Sequence, residues 1–283
     1  MKYVRIGKIA LSLLLLNPKL FAERIIRELR AKLHNSQGLV KGSVYGLKFD
    51  FDFSEAKSIK AMYFDLYEMG VIHTMETFLK TGDIFMDVGA NIGYISAAAA
   101  GLVGKTGQIH SFEPVPVYAE RVRKLAADNS EYNIKVNEMA LGETEGIMPL
   151  SIVTTSIGHS TFVAAAMRKE NIEKTIDVAV SRLDKYIQAE NLHKVKMVKV
   201  DVEGFEFPVI RGMQGLFDNG CFPLIVCEIF PYGFEVMGSS VQEFLEYMAR
   251  YSYAPFKVIA PNKRLSLSDI EAERTSNVLF RHI

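Results

Sequence analysis

Hydrophobic and polar positions follow two rhythms along this chain. Short apolar runs predict strands at 84–88, 108–113, 134–138, 196–201, 223–229, 255–260 and 276–281. Between most of them the apolar spacing widens to that of a helix with one buried face. Helices are expected at 94–102, where alanines permit close packing, at 117–129, at 205–217, and from Ser240 through Tyr253, Ser240 and Glu243 forming an S-x-x-E capping box. Such alternation implies an α/β, Rossmann-like fold, a mostly parallel sheet covered by helices on both faces. Ahead of it, Gly38 to Phe53 alternates around Gly42 and Gly46 as a short hairpin would, and a further helix stops at Gly82. An insertion from Gly142 to Ala189 carries two extra apolar runs, Met148 to Val153 and Thr175 to Val180, where a flap over a substrate would sit. The organisation expected is an N-terminal helical extension with a hairpin over 1–60 and a Rossmann-like domain over 61–283, with the insertion at 142–189.

The most informative stretch joins the first strand to its helix: Phe85-Met86-Asp87-Val88-Gly89-Ala90-Asn91-Ile92-Gly93. A carboxylate ends the strand, Gly89 and Gly93 let the backbone approach a ligand, and a helix starting near Ile92 offers unpaired N–H groups. A dinucleotide fingerprint needs a second glycine at position 91, which is Asn. S-adenosylmethionine has no pyrophosphate and presents a carboxylate, an ammonium and a ribose, which suits G-x-x-x-G. Glu113, at the end of the second strand, is placed to accept hydrogen bonds from vicinal ribose hydroxyls.

Composition narrows the class further. The 283 residues, 49% hydrophobic and 23% charged, suffice for the core of a globular enzyme. With zero net charge and no basic run in the body, nucleic acid is not an expected partner. Cys221 and Cys227 and six dispersed histidines lack zinc-site spacing, and the cysteine usage fits a reducing compartment, so a cytoplasmic location is expected. Lys2, Arg5 and Lys8 precede the apolar run Ile9 to Leu16 in the manner of a signal peptide, but Leu20 stands where a cleavage site wants a small residue. A run of eight residues, Ser12 among them, also falls short of the ~20 needed to span a bilayer. A second helix over 18–33 groups Leu20, Phe21, Ile25, Leu29 and Leu33, and residues 1–33 hold eight Lys/Arg against two Glu. This segment is expected to pack on the catalytic domain or on a second subunit, with peripheral attachment to an anionic membrane as the sharper alternative.

Four segments together, Asp87-Val88-Gly89-Ala90-Asn91-Ile92-Gly93, Glu113-Pro114, Ala140-Leu141-Gly142 and Lys199-Val200-Asp201-Val202-Glu203-Gly204-Phe205-Glu206, resemble the FkbM-type methyltransferases over residues 65 to 230. The resemblance implies the class I methyltransferase fold, with seven strands ordered 3-2-1-4-5-7-6 and the last antiparallel. It also implies S-adenosylmethionine as methyl donor and a hydroxyl of a sugar, lipid or secondary metabolite as acceptor. By position, Asp87, Gly89, Asn91 and Gly93 would hold the methionine part, Glu113 the ribose, and Glu138, Met139 and Ala140 the adenine.

Methyl transfer to an alcohol requires in-line alignment and removal of a poorly acidic proton. Ligands of open parallel sheets sit at the carboxyl ends of the strands, which brings forward Asp201, Glu203 and Glu228 as candidate bases, with His159 in the insertion as another. The same carboxylates are a donor set for Mg²⁺, which ranks behind direct base catalysis. The expected acceptor is a small molecule or a glycan. A nicotinamide-dependent oxidoreductase, disfavoured by Asn91, and a non-catalytic binding module on the same fold are the competing readings.

Overall fold

The computed structural model describes residues 37–55, 57–153 and 172–283, with scattered positions between 18 and 34. The chain opens with the hairpin β1 (Leu39–Val44) and β2 (Leu47–Asp52), then α1 (Lys57–Tyr63) and α2 (Met69–Phe78). Next come β3 (Ile84–Val88), α3 (Tyr94–Val103), β4 (Gln108–Phe112), α4 (Pro116–Asp128), β5 (Asn133–Asn137) and β6 (Ala140–Leu141). The insertion supplies β7 (Gly146–Val153) and β8 (Ile172–Ser181), followed by α5 (Leu183–Ala189), β9 (Val195–Val200), α6 (Glu206–Arg211) and α7 (Gln214–Asp218). The remainder is β10 (Leu224–Ile229), α8 (Pro231–Val236), α9 (Val241–Arg250), β11 (Tyr253–Lys257), β12 (Ala260–Arg264), α10 (Leu267–Glu271) and β13 (Ser276–His282).

The main sheet runs β12-β11-β13-β10-β9-β3-β4-β5, with β5, β4, β3, β9 and β10 parallel and β13 antiparallel to both of its neighbours. Without β12 this is the order 3-2-1-4-5-7-6. An eighth strand is the difference: β12 pairs antiparallel to β11 at the edge, Phe256 opposite Arg264, and its Ala-Pro-Asn-Lys-Arg sequence has no apolar run to announce it.

Alternate residues of the central strands feed two cores. Met86, Val88, Val198, Val200, Ile225 and Cys227 pack on one face, while Phe85, Met197, Val226 and Leu279 pack on the other. Burial on both faces is why these strands read as continuous apolar runs. The hairpin belongs to the second core through Leu47, Phe49 and Phe51, and Phe49 meets the edge of Tyr94 with centroids 6.2 Å apart. Its turn, Tyr45-Gly46, has positive φ at both residues, as the mirror-image two-residue turn of a hairpin requires.

Two helices end earlier than their patterns predict, and one predicted cap is incomplete. The 205–217 helix breaks into α6 and α7 at Gly212, where any Cβ would stand 2.1 Å from the Gly142 carbonyl oxygen. The capping box at α9 is half formed: Ser240 accepts from the Glu243 N–H, but the Glu243 carboxylate pairs with Arg211 at 3.1 Å. That helix stops at Arg250 because Ser252 turns to positive φ and β11 begins directly after. In the insertion, β6, β8 and β7 form a separate small sheet with its own apolar cluster, including Leu150, Val178 and Val180. Among the described residues no helix is long and apolar enough to cross a membrane.

Candidate active site

The turn after β3 is bound to both neighbouring strand ends. Gly89 and Ala90 N–H groups both donate to the Phe112 carbonyl at 3.0 Å, closing the turn onto β4. On the other side Gly89, at φ 83°, lies so near β9 that a Cβ would stand 1.9 Å from the Asp201 carbonyl oxygen. Asn91 (φ 51°) and Gly93 (φ 85°) are also left-handed, so the helix starts at Tyr94, as the 94–102 pattern predicts and two residues after the start near Ile92 read from the glycine turn. Fully buried Asp87 accepts a hydrogen bond from Ser96 Oγ at 2.6 Å, and burial raises its carboxyl above the ordinary range. Its Oδ1 makes no hydrogen bond among the described residues, and neither does the buried Oδ1 of Asn91.

Glu113 is 5% exposed and accepts two backbone N–H groups, from Asn91 at 2.8 Å and Val115 at 2.9 Å, one on each oxygen. Burial pushes its carboxyl up to about 7, with those two donors opposing. A carboxylate oxygen that has taken one donor retains a lone pair for a second, so ribose recognition stays open to it.

At the ends of β9 and β10, three acidic side chains converge. Asp201, Glu203 and Glu228 each bring an oxygen within 4.8 Å of the others. Asp87 and Lys199 are register partners on the adjacent parallel strands, and Lys199 is 4% exposed. Its ammonium lies 3.0 Å from Asp201 Oδ2 and 3.9 Å from Asp87 Oδ1, and donates to the Gly89 carbonyl at 3.4 Å. Burial alone would lower the Lys199 value, but Asp201, Glu68 and Asp87 together hold it well above the usual lysine range. Glu228 is pushed strongly upward by burial, then by the charges of Asp201 and Glu203. Glu68 is raised by burial, and its Oε2 is buried without a hydrogen-bond partner among the described residues. Glu206 is anchored in the turn by the Val202 and Gly204 N–H groups, and burial raises it to about 8.

A family model described as the methyltransferase FkbM domain matches residues 87–255. The chain belongs to the FkbM methyltransferase family. Membership implies S-adenosylmethionine as methyl donor, and the sheet order above is that of the class I methyltransferase fold. Among curated relatives, methyltransferase sdnD of Sordaria araneosa is 28% identical over 162 residues, 48% of this chain and 62% of that protein. The hexuronic acid methyltransferase AglP of Haloferax volcanii is 24% identical over 158 residues, 56% of this chain and 61% of that protein. The 31-O-demethyl-FK506 methyltransferase FkbM of Streptomyces tacrolimicus is 26% identical over 161 residues, covering 48% and 61%. The chain thus spans about three-fifths of the length of these relatives. A solved structure, methyltransferase FkbM from Methylobacillus flagellatus, shares 13% identity with a TM-score of 0.42, covering 80% of this chain and 55% of that one.

The fold brings together Asp87, Gly89, Asn91, Gly93 and Glu113 at the turn after β3, with Asp201, Glu203 and Glu228 beside them. The orphaned buried oxygens of Asp87 and Asn91 and the Gly89 approach fit a polar ligand with donor groups of its own. Other predicted positions fare differently. The Glu138 carboxylate is engaged on the outer surface by both terminal nitrogens of Arg123 at 2.8 Å, so its side chain is directed at α4 and not held ready for an adenine. Ala140 is buried in the small-sheet cluster, and Met139 is half-buried against the first core. His159 lies outside the described residues. Of the aromatics after the strand ends, Phe205, Phe207, Phe230 and Phe234 are core residues, while Tyr232 is 50% exposed. Sequence reasoning missed Lys199, Glu68 and Tyr67, whose hydroxyl is pushed upward by the Glu68 charge, by burial and by the Asp201 charge. A lysine inside the apolar run Val195 to Val200 signals a buried counter-charge. Glu68 and Tyr67 precede α2 outside the family-matched span, and no local pattern marks them.

Proposed function

We propose that this chain transfers a methyl group from S-adenosylmethionine to a hydroxyl of a small molecule or glycan, with a strand-end carboxylate taking the proton. The observation carrying this reading is the convergence of Asp201, Glu203 and Glu228 beside the glycine turn. When bound, the donor supplies an electrophilic methyl on a sulfonium. Asp87 and Asn91 receive its polar amino-acid end through Oδ1 atoms that lack a hydrogen-bond partner among the described residues, Glu113 its ribose, and Met139 with Ala140 border its base. Glu228, near the end of β10, is the preferred proton acceptor: Asp201 is already paired with Lys199, and a cationic donor alongside opposes the burial and the Asp201 and Glu203 charges that push the Glu228 carboxyl up. Asp201, paired with Lys199, and Glu203 complete the acidic wall. Half-exposed Tyr232 is available to stack on an acceptor ring. Two relatives, named for a hexuronic acid and for 31-O-demethyl-FK506, favour an oxygen acceptor on a sugar or metabolite.

Calorimetry with S-adenosylhomocysteine tests the donor half. Glu113→Ala is expected to weaken binding about 10- to 100-fold, since hydrogen bonds to a charged group and the anchoring of the Asn91 turn are lost together. Affinity equal to the parent's removes Glu113 from the site. The acceptor half is tested with isotope-labelled donor in cell extract, read by mass spectrometry. Labelling is expected to persist in EDTA and to disappear in Glu228→Gln. Loss in EDTA with recovery on adding Mg²⁺ assigns the carboxylates to a metal instead, a role their spacing also suits. Direct base catalysis is preferred because Lys199 already sets a positive charge against Asp201.

A further inference from the structure

The segment between α1 and α2 is bent by two left-handed residues that are not glycine, Asp65 at φ 51° and Glu68 at φ 45°. Side chains rarely sit in that region unless their surroundings hold them there, and this segment is held on two sides. Toward the donor turn, Tyr94, the first residue after Gly93, donates from its hydroxyl to Asp65 Oδ1 at 3.4 Å, and its ring meets that of Tyr67 edge-on with centroids 5.7 Å apart. Behind it, Thr74 Oγ1 on α2 donates to the Val258 carbonyl at 2.8 Å, and Gly70 lies so close that a Cβ would stand 2.7 Å from the Val258 side chain. Val258 forms the turn between β11 and β12, so the hairpin that ends in the eighth strand braces the helix whose N-terminus carries Glu68. We infer that Glu68, carried across the strand ends by this segment, receives the ammonium of the methyl donor's amino-acid tail, an assignment that rests on the donor reading above.

Glu68 stands at the N-cap of α2, yet its side chain makes no capping hydrogen bond. Its Oε2 is buried without a hydrogen-bond partner among the described residues, as are Asp87 Oδ1 and Asn91 Oδ1, the atoms assigned above to the amino-acid end of the donor. The charges that bear on Glu68 are those of Lys199, Asp201 and Asp87, which sets it against the ends of β3 and β9. One ammonium, already 3.0 Å from Asp201, answers three carboxyls there, and the pocket is short of positive charge. Burial, opposed by Lys199 and helped by Asp201 and Asp87, raises the Glu68 carboxyl to about 7. An incoming ammonium supplies both the missing charge and N–H donors for the orphaned oxygens, whereas a sulfonium supplies charge alone. The ribose hydroxyls, the other donors of the ligand, belong on this reading to Glu113.

Calorimetry of the full chain with S-adenosylhomocysteine, and with its analogue lacking the amino group, separates this role from a structural one. The parent is expected to bind the amino-bearing ligand about 10- to 100-fold more tightly. In Glu68→Gln, which is isosteric and buries no new charge, that preference is expected to shrink at least about fivefold, with little change in affinity for the deaminated analogue. A loosened fold weakens both ligands alike and leaves the preference intact. Glu68→Asp, which keeps the charge but withdraws it by one methylene, is expected to fall between the parent and Glu68→Gln. An undiminished preference in Glu68→Gln, or equal binding of the two ligands by the parent, overturns the role of Glu68 while the donor reading stands. Failure of the parent to bind either ligand removes the donor reading and this inference with it.

Discussion

Gly89→Ala is expected to reduce S-adenosylhomocysteine binding more than about a hundredfold and to lower the melting temperature as well. Two penalties coincide. A side chain at φ 83° is strained by about 1–3 kcal/mol wherever it sits. Here the added methyl must also displace the Asp201 carbonyl, 1.9 Å away, which is backbone and has no rotamer to yield. The displaced strand end carries the acidic wall and the Lys199 contact to the Gly89 carbonyl, so both halves of the site shift. Gly93→Ala is the internal comparison: it bears a similar φ, but its new methyl meets the far end of Leu125 at 3.0 Å, a flexible partner, so the loss should be smaller. Equal effects from the two substitutions, or tight ligand binding by Gly89→Ala, contradict the account of the turn.

Stability of the ligand-free protein is expected to fall as pH rises from about 5 to about 9. Glu113 and Glu206 have folded-state values raised by burial from 4.5 to about 7 and about 8, and burial also raises Glu68 and Glu228. Between the unfolded and folded values the native state retains protons that the unfolded chain releases, so each contribution is complete below 4.5 and is lost as pH climbs through the folded value. Glu113 alone accounts for about 3 kcal/mol over that window, at 1.36 kcal/mol per pKa unit. Lys199 titrates above the window, and His110, pushed down to about 4 by burial, offsets part of the fall below its ordinary value of 6.5. Glu206→Gln retains an oxygen for the Val202 and Gly204 N–H groups without the charge, so it should match the parent near pH 5 and exceed it near pH 9. Urea unfolding at a series of pH values reads both effects. A parent whose stability climbs with pH, or a variant that tracks it throughout, is incompatible with buried neutral carboxyls.

The central strands were legible because their two-sided burial leaves unbroken apolar runs, and the strand-end position of Asp201, Glu203 and Glu228 followed from parallel topology alone. What escaped depends on partners distant in sequence. Strand β12 exists because β11 offers it an edge, not because Ala-Pro-Asn-Lys-Arg favours a strand. The break at Gly212 is dictated by the Gly142 carbonyl, and the outward turn of Glu138 by Arg123 on the neighbouring helix. Glu68 reaches the site only because the segment before α2 folds across the strand ends. Lys199 is different, since an ammonium between Val198 and Val200 already demands buried carboxylates, and Asp87 and Asp201 answer it.

The small sheet of the insertion has a bearing on how new enzymes of this kind arise. Strands β7 and β8 pair with each other over eight registers and close on a cluster of their own. The donor turn, by contrast, is riveted between Phe112 and Asp201. Chimeras exchanging residues 154–171, between β7 and β8, are therefore expected to leave the glycine turn undisturbed. Under the proposed function, that segment is free to vary with the acceptor while the turn that takes the donor stays fixed.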